Sequence, residues 1–428
     1  MDRRHFLLAG AAGLSAAAPA AFADRRRKTA AAPALPAPAS PKARVIVIGG
    51  GMAGATVAKY LRLWGDAVDV TLVDRRPQYL SNIMSSLVLT GQKTLSGLTY
   101  GYGTLASRYG VRVLCDEVLE IDPVAARVRL AAGGWLGADR VVLAPGIAFD
   151  AVPGLDDPLR MPHAWQAGPQ TSALAAQLAA MPANGVAVLT IPKAPYRCPP
   201  GPYERACLLA DWMKAVKPQA KLIVLDGNAD FVTEKDNFSR AFFDLHGRVI
   251  EYRNNVEISS VDTAQRVVYT NGGAVQAHVV NLIPPQRAPA LVAAAGLATA
   301  TGGRFAPVDV LSYASTVAPR VHVIGDASAT TQPKAGHIAN QEAKVCADAL
   351  ARIFAGGQPD PAPVTNSACY STITRSQASW LTAVFQYDAV SHAMKPVAAS
   401  SAASAGWNGD HYEQMGRWFQ ALMADSFA

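Results

Sequence analysis

The chain contains no C-x-x-C pair and no C-x-x-C-H run, and its eight histidines fall without metal-ligand spacing. Those gaps exclude covalently attached haem and leave no sign of structural zinc or another metal site. Beyond the first two dozen residues, no run is long and apolar enough to span a bilayer. One-signed charge is missing too. Net charge is +7, of which the segment holding Asp2, Arg3 and Arg4 takes one and Arg25, Arg26, Arg27 and Lys28 supply four. The remaining body is nearly balanced, so no nucleic-acid partner is implied. What is present is length: 428 residues, half of them hydrophobic, enough for two or three domains with a sizeable core.

Residues 1–23 stand apart from that core. Arg3-Arg4-His5-Phe6-Leu7, an uncharged alanine-rich run and Ala21-Phe22-Ala23 read as a twin-arginine export signal cleaved after Ala23. The alternative is a short membrane anchor, but the run is mostly alanine and ends in an A-x-A site. Asp2 departs from the Ser or Thr usual before the arginine pair. The expectation is a bacterial periplasmic protein, exported already folded around a cofactor into a compartment where a disulfide persists. Residues 24–43 form a Pro/Ala-rich linker, its Thr29–Pro41 stretch expected to be disordered or extended.

The body opens with Arg44-Val45-Ile46-Val47-Ile48, an apolar run typical of a buried parallel strand. Gly49-Gly50-Gly51-Met52-Ala53-Gly54, a helical stretch to about Leu63, and a strand from Val68 to Val73 ending in Asp74 follow. Glycines alone are weak evidence. Strand, glycine turn, helix, strand and terminal acid together make a dinucleotide-binding βαβ unit. The glycines admit the pyrophosphate to the backbone, the helix N-terminus supplies N–H groups, and the acid takes ribose hydroxyls. Arg140–Gly146, a strand running into the small turn Ala144-Pro145-Gly146, and Val321–Ala327, a strand ending in Gly325-Asp326, resemble FAD-binding parts of two-domain flavoproteins of the glutathione reductase type. In those proteins such an aspartate holds the ribityl and phosphate region; otherwise Asp326 would be a helix N-cap.

A second Rossmann-like unit begins at Val186–Ile191, yet its turn carries Pro192, Pro195, Pro199, Pro200 and Pro202 where an NAD site needs glycine. Proline has no N–H for a phosphate and blocks close approach. The following strand, Lys221 to Leu225, keeps an acid, Asp226. This domain is therefore expected to have NAD-domain architecture without binding NAD. The fold class is α/β: two Rossmann-like domains, the second degenerate, plus a small C-terminal domain. The divisions are 44–150 and 287–360 for the FAD domain, 151–286 for the NAD-like domain and 361–428 for the last.

From Arg44 to Phe427 the residues resemble the flavoprotein subunit of flavocytochrome c sulfide dehydrogenase. Met161-Pro162-His163-Ala164-Trp165, Arg197–Ala206, Asn281–Arg287, Val323–Ala327 and Cys369-Tyr370-Ser371 carry the likeness. It implies that Cys198 and Cys369 form a redox disulfide beside the flavin and that Glu204 is the base. A merely structural bridge, and a glutamate that only complements a helix start, are the plainer readings. Expected FAD contacts are Gly49, Gly51, Met52, Ala53, Gly54, Asp74, Arg75, Gln78, Asn82, Val118, Ala144, Gly146, Asp326 and Lys334. Gln78 stands where relatives carry a cysteine joined to the flavin, so FAD is expected to be non-covalent. His337 is a second departure, expected either to tune the flavin or to pack beside it. Cys198 lies before a helix expected at Tyr203–Val216, whose start would favour a thiolate. Cys115, Cys207 and Cys346 read as core. The implied function is sulfide oxidation with electrons passed to a c-type cytochrome on another chain. Reactivation of a sulfur-carrier protein in thiosulfate oxidation and sulfide:quinone reduction are the alternatives.

Overall fold

The structure, a computed structural model, describes residues 34–428. The expected export signal and the linker up to residue 33 lie outside the described residues. The part of the linker that is described does not hang free: Leu35 N donates to Arg108 O at 2.7 Å, and Leu35 packs on the core of the first domain. Gly110 has to be glycine there, because a Cβ would meet Leu35 O at 2.6 Å and its φ is +62°.

The first sheet is built from parallel strands β1 (Ala43–Ile48), β2 (Val68–Asp74), β3 (Arg112–Cys115) and β4 (Arg140–Leu143), in the order β4-β1-β2-β3. Strands β1 and β4 are apolar and buried without a break from Val45 to Ile48 and from Val141 to Leu143, which fits burial on both faces. Helix α1 (Met52–Trp64) crosses from β1 to β2 and is buried from Met52 to Arg62. The chain then leaves along Ala148–Phe149 and returns along Gln286–Arg287, and these two short strands pair antiparallel with one another.

Between those crossings lies a four-stranded parallel sheet of β5 (Val186–Ile191), β6 (Lys221–Asp226), β7 (Ile250–Arg253) and β8 (Val279–Asn281), ordered β7-β6-β5-β8. Helix α2 (Gly201–Val216) follows β5. After the return, β9 (Val321–Val323) adds to β4 and extends the first sheet, so that domain is assembled from two separated stretches of chain. Helix α3 (Gly336–Phe354) then packs on α1 through small side chains: Ala55 and Ala58 on one, Ala339, Ala343 and Ala347 on the other. Such residues let two helix backbones come close.

The last region is an antiparallel hairpin, β10 (Val364–Thr372) and β11 (Ala378–Asp388), followed by helix α4 (Gly409–Phe427). Asn408 caps α4 through a hydrogen bond from His411 N at 2.8 Å. The helix folds back on the first domain. Lys59 Nζ donates to Asp425 O at 2.9 Å and to Ala428 O at 2.6 Å, and Phe427 stacks on Tyr79 with ring centroids 5.1 Å apart.

Candidate active site

One cleft, about 1490 Å³ including solvent at its mouth, is walled by all three regions. Gly49, Gly51, Met52, Ala53 and Asp74 line it from the βαβ unit, Ala144 and Gly146 from the end of β4, and Asp326 from the end of β9. Cys198, Gly201 and Glu204 enter from the start of α2, Cys369 and Tyr370 from β10, and Met415 and Trp418 from α4.

The glycine turn is held by contacts only glycine allows. A Cβ on Gly49 would lie 2.4 Å from Ala144 O, and its φ is +98°; a Cβ on Gly54 would lie 1.7 Å from Gly49 O. Gly54 therefore does not line the cleft but lets α1 sit against the turn. Asp74 Oδ2 accepts from Gly50 N at 2.6 Å and Oδ1 from Arg76 N at 2.8 Å, tying the acid to the turn. At the other end Asp326 is decisive. Its Oδ1 is buried and has no hydrogen-bond partner, and burial pushes its carboxyl above the usual range against the pull of Arg197 and Lys334. A buried acceptor without a donor is rare. A cofactor bringing hydroxyls to that end of the cleft and a pyrophosphate to the glycine turn answers both features, and FAD fits them.

Around Cys198 the chain is shaped for the sulfur. Cys198 has φ +58°, a left-handed conformation uncommon outside glycine and found at functional sites. Its N donates to Lys334 O at 2.7 Å, and its O accepts from Gly201 N at 2.9 Å. Gly201 opens α2, and a Cβ there would strike Trp165 at 2.8 Å and Cys198 Sγ at 2.9 Å. The bare glycine makes the room in which the sulfur sits. Trp165 is fixed in turn by its indole N–H to Arg197 O at 3.2 Å and by the Arg205 guanidinium 4.7 Å above its ring. Arg205 is fully buried and donates to Asn281 Oδ1 at 3.0 Å, His163 O at 3.0 Å and Ala164 O at 2.9 Å. Three of the five motifs that carry the family likeness thus meet on one guanidinium.

Cys198 and Cys369 are not bridged in this structure. Burial pushes the Cys198 thiol well up, with Cys369 and Glu204 adding to it, and takes Cys369 to about 12. The expected thiolate at the start of α2 is thus corrected: desolvation outweighs the helix start and Arg197. Glu204 is only partly exposed, and loss of solvent pushes its carboxyl up to about 7, although Thr372 Oγ1 donates to its Oε1 at 2.9 Å. A carboxyl poised there exchanges protons near neutrality.

Besides Gly54, four expected contacts lie elsewhere. Arg75 is exposed, and Arg76 takes the cleft wall instead. Gln78 is on the exposed start of a short strand, while its neighbours Tyr79 and Asn82 face the cleft. Val118 packs against the far core of the first domain. Lys334 sits behind Asp326, its ammonium 3.8 Å from the centre of the Phe305 ring and donating to Ser328 O at 2.6 Å. Cys115, expected in the core, is exposed at the end of β3, where it is the register partner of Asp74. Cys207 and Cys346 are buried. His337 lines the cleft at the start of α3, where burial takes it down to about 4; its neutral Nδ1 accepts from Ala368 N at 2.9 Å. Among the described residues no group of His, Cys, Asp or Glu could hold a metal.

In the central domain, Asp226 is wholly buried and already accepts from Tyr203 OH at 2.7 Å, Tyr252 OH at 2.9 Å and Asn228 N at 2.8 Å. Phe231 stacks on Tyr252 at 4.9 Å and fills the space beside it. The acid is locked into an aromatic core.

Comparison with known proteins agrees with this geometry. Residues 171–284 match the family described as the central part of the sulfide dehydrogenase (flavocytochrome c) flavoprotein chain, and residues 361–427 match the flavin-binding part of flavocytochrome c sulphide dehydrogenase. The chain belongs to that flavoprotein family. Residues 43–189 match pyridine nucleotide-disulphide oxidoreductase, so this member is an FAD oxidoreductase. Among solved structures, sulfide:quinone oxidoreductase from Aquifex aeolicus aligns at 17% identity and TM-score 0.74, over 90% of this chain and 91% of that one. The NAD-dependent persulfide reductase from A. fulgidus aligns at 15% and 0.60, over 89% and 77%. Putidaredoxin reductase in its covalent putidaredoxin complex aligns at 18% and 0.61, over 81% and 87%. At these identities the likeness is one of fold. Of the cleft residues that sequence reasoning missed, Trp165 and Arg205 sit in motifs already visible in the sequence and Met415 and Trp418 on α4; their convergence is tertiary.

Proposed function

We propose that the protein oxidises sulfide through a Cys198–Cys369 disulfide and delivers the electrons to a c-type cytochrome in the periplasm. The observation that carries this reading is the convergence of Cys198, Cys369 and Glu204 in the same cleft as Asp326 and the glycine turn. Hydrosulfide attacks one sulfur of the disulfide, the S–S bond breaks, and a new S–S bond leaves a persulfide on one cysteine and a thiolate on the other. Glu204, near pH 7, takes the persulfide proton. Burial that disfavours the freed thiolate also makes it the more reactive electron donor, since nucleophilicity rises with thiol pKa. FAD, when bound, supplies a two-electron acceptor that can release electrons singly to a haem.

No described helix is long and apolar enough to cross a membrane. The family itself argues for a cytochrome partner. The test is anaerobic titration of the purified protein with sulfide, followed by cytochrome c. Prompt bleaching of the flavin and then haem reduction are expected; flavin that stays oxidised under excess sulfide would defeat the reading.

A further inference from the structure

The strand that bears Cys369 is fastened to the central domain by a carboxylate that the sulfur chemistry does not use. Glu234 lies just before the helix Lys235–Arg240 with φ +45°, and it is 9% exposed. Ser371 Oγ donates to its Oε1 at 2.9 Å and Ser379 Oγ to its Oε2 at 2.7 Å. Those serines are direct partners across β10 and β11, so one carboxylate grips both strands at a single rung. Ser371 is two residues beyond Cys369, and strand alternation puts both on one face. On the other side of Cys369, His337 holds the neighbouring Ala368 N–H. The sulfur is thus suspended between an anchor in the flavin domain and one in the central domain, which also carries Cys198.

Resting on the redox-pair reading above, we propose that Glu234 is a positioning residue that fixes Cys369 within bonding reach of Cys198. Disulfide geometry is narrow, so the ease of closing the bridge depends on how well both sulfurs are held in place. A bare apolar contact would join the hairpin to the domain without burying a carboxylate. Two hydroxyl donors on two oxygens fix direction and register as well.

The test is the equilibrium of the full-length, FAD-loaded protein with glutathione. The dithiol plus one glutathione disulfide gives the Cys198–Cys369 bridge plus two glutathiones, scored by alkylation and peptide mapping. Glu234→Ala is expected to lower the equilibrium constant at least tenfold, about 30 mV for this two-electron couple. Glu234→Gln can still accept one hydroxyl and donate to the other, and is expected to stay within about threefold of wild type. Asp211→Asn, which loosens only the outer contact to Arg375, is expected to leave it unchanged. Should Glu234→Ala fail to fold, Ser371→Ala removes one donor and is expected to shift the equilibrium the same way. A folded Glu234→Ala protein with the wild-type equilibrium overturns the proposal, as do equal losses in the Ala and Gln variants. Wild-type protein that forms no Cys198–Cys369 bridge at any glutathione ratio overturns the redox-pair reading itself.

Discussion

At Glu204 burial and proton transfer pull on the same carboxyl. Its folded pKa is about 7 against 4.5 unperturbed, with burial the first cause, so the fold prefers the protonated form. That preference stabilises the protein fully below pH 4.5 and is lost as pH rises through about 7. Glu204→Gln is therefore expected to melt higher than wild type above pH 7, by up to about 3 kcal/mol, and no higher below 4.5. As a base, Glu204 works only when ionised. Sulfide-driven flavin bleaching should rise through about pH 7 in wild type, and the variant should lose ~10²–10⁴-fold in rate. Thermal melts and stopped-flow traces across that range check both. Cys198→Ser and Cys369→Ser should keep FAD, because Gly49 and Asp326 are untouched, while bleaching falls by orders of magnitude. A bridge that was only structural would instead contribute ~2–4 kcal/mol of stability and spare the chemistry.

Among the elements, the start of α2 concentrates what position alone must do. Gly201→Ala places a methyl against Cys198 Sγ and Trp165, so it is expected to retain the fold and slow bleaching at least tenfold, whereas alanine at open Gly416, also helical, should keep both the fold and the wild-type rate. The βαβ unit was legible in the sequence because its glycines, apolar run and terminal acid are adjacent in the chain. The prolines after β5 were legible as a missing phosphate turn for the same reason. What the sequence did not show was assembly at a distance. Arg76 replaces Arg75 because the chain bends just past β2, where Arg76 N turns back to Asp74 Oδ1, and Cys115 looked like core because the two residues before it are apolar. The thiolate expected at Cys198 failed because burial, a property of the whole cleft, exceeds a local helix start. Gln78 lies off the cleft and Cys198 and Cys369 are its cysteines, so acid precipitation should release all the flavin into the supernatant. Yellow precipitated protein would mean a covalent link.

Taken whole, the molecule has the layout of a nicotinamide-dependent reductase with one of its two nucleotide sites closed. Asp226 is engaged by two tyrosines and an asparagine, and an aromatic cluster fills the space next to it. NADH and NADPH should bleach the flavin no faster than buffer, read in the same anaerobic cuvette that shows prompt bleaching by sulfide. Saturable bleaching by NADH would mean that the cluster opens.

The walls of the cleft run from Gly49 to Trp418, and the last helix is latched to the first by Lys59. A ribosome must therefore finish almost the entire chain before any pocket for the nucleotide exists. Cofactor capture is then a late event, completed only when the terminal helix brings Met415 and Trp418 into the wall. A chain cut short of that helix would keep its glycine turn and both cysteines around an open-sided cleft.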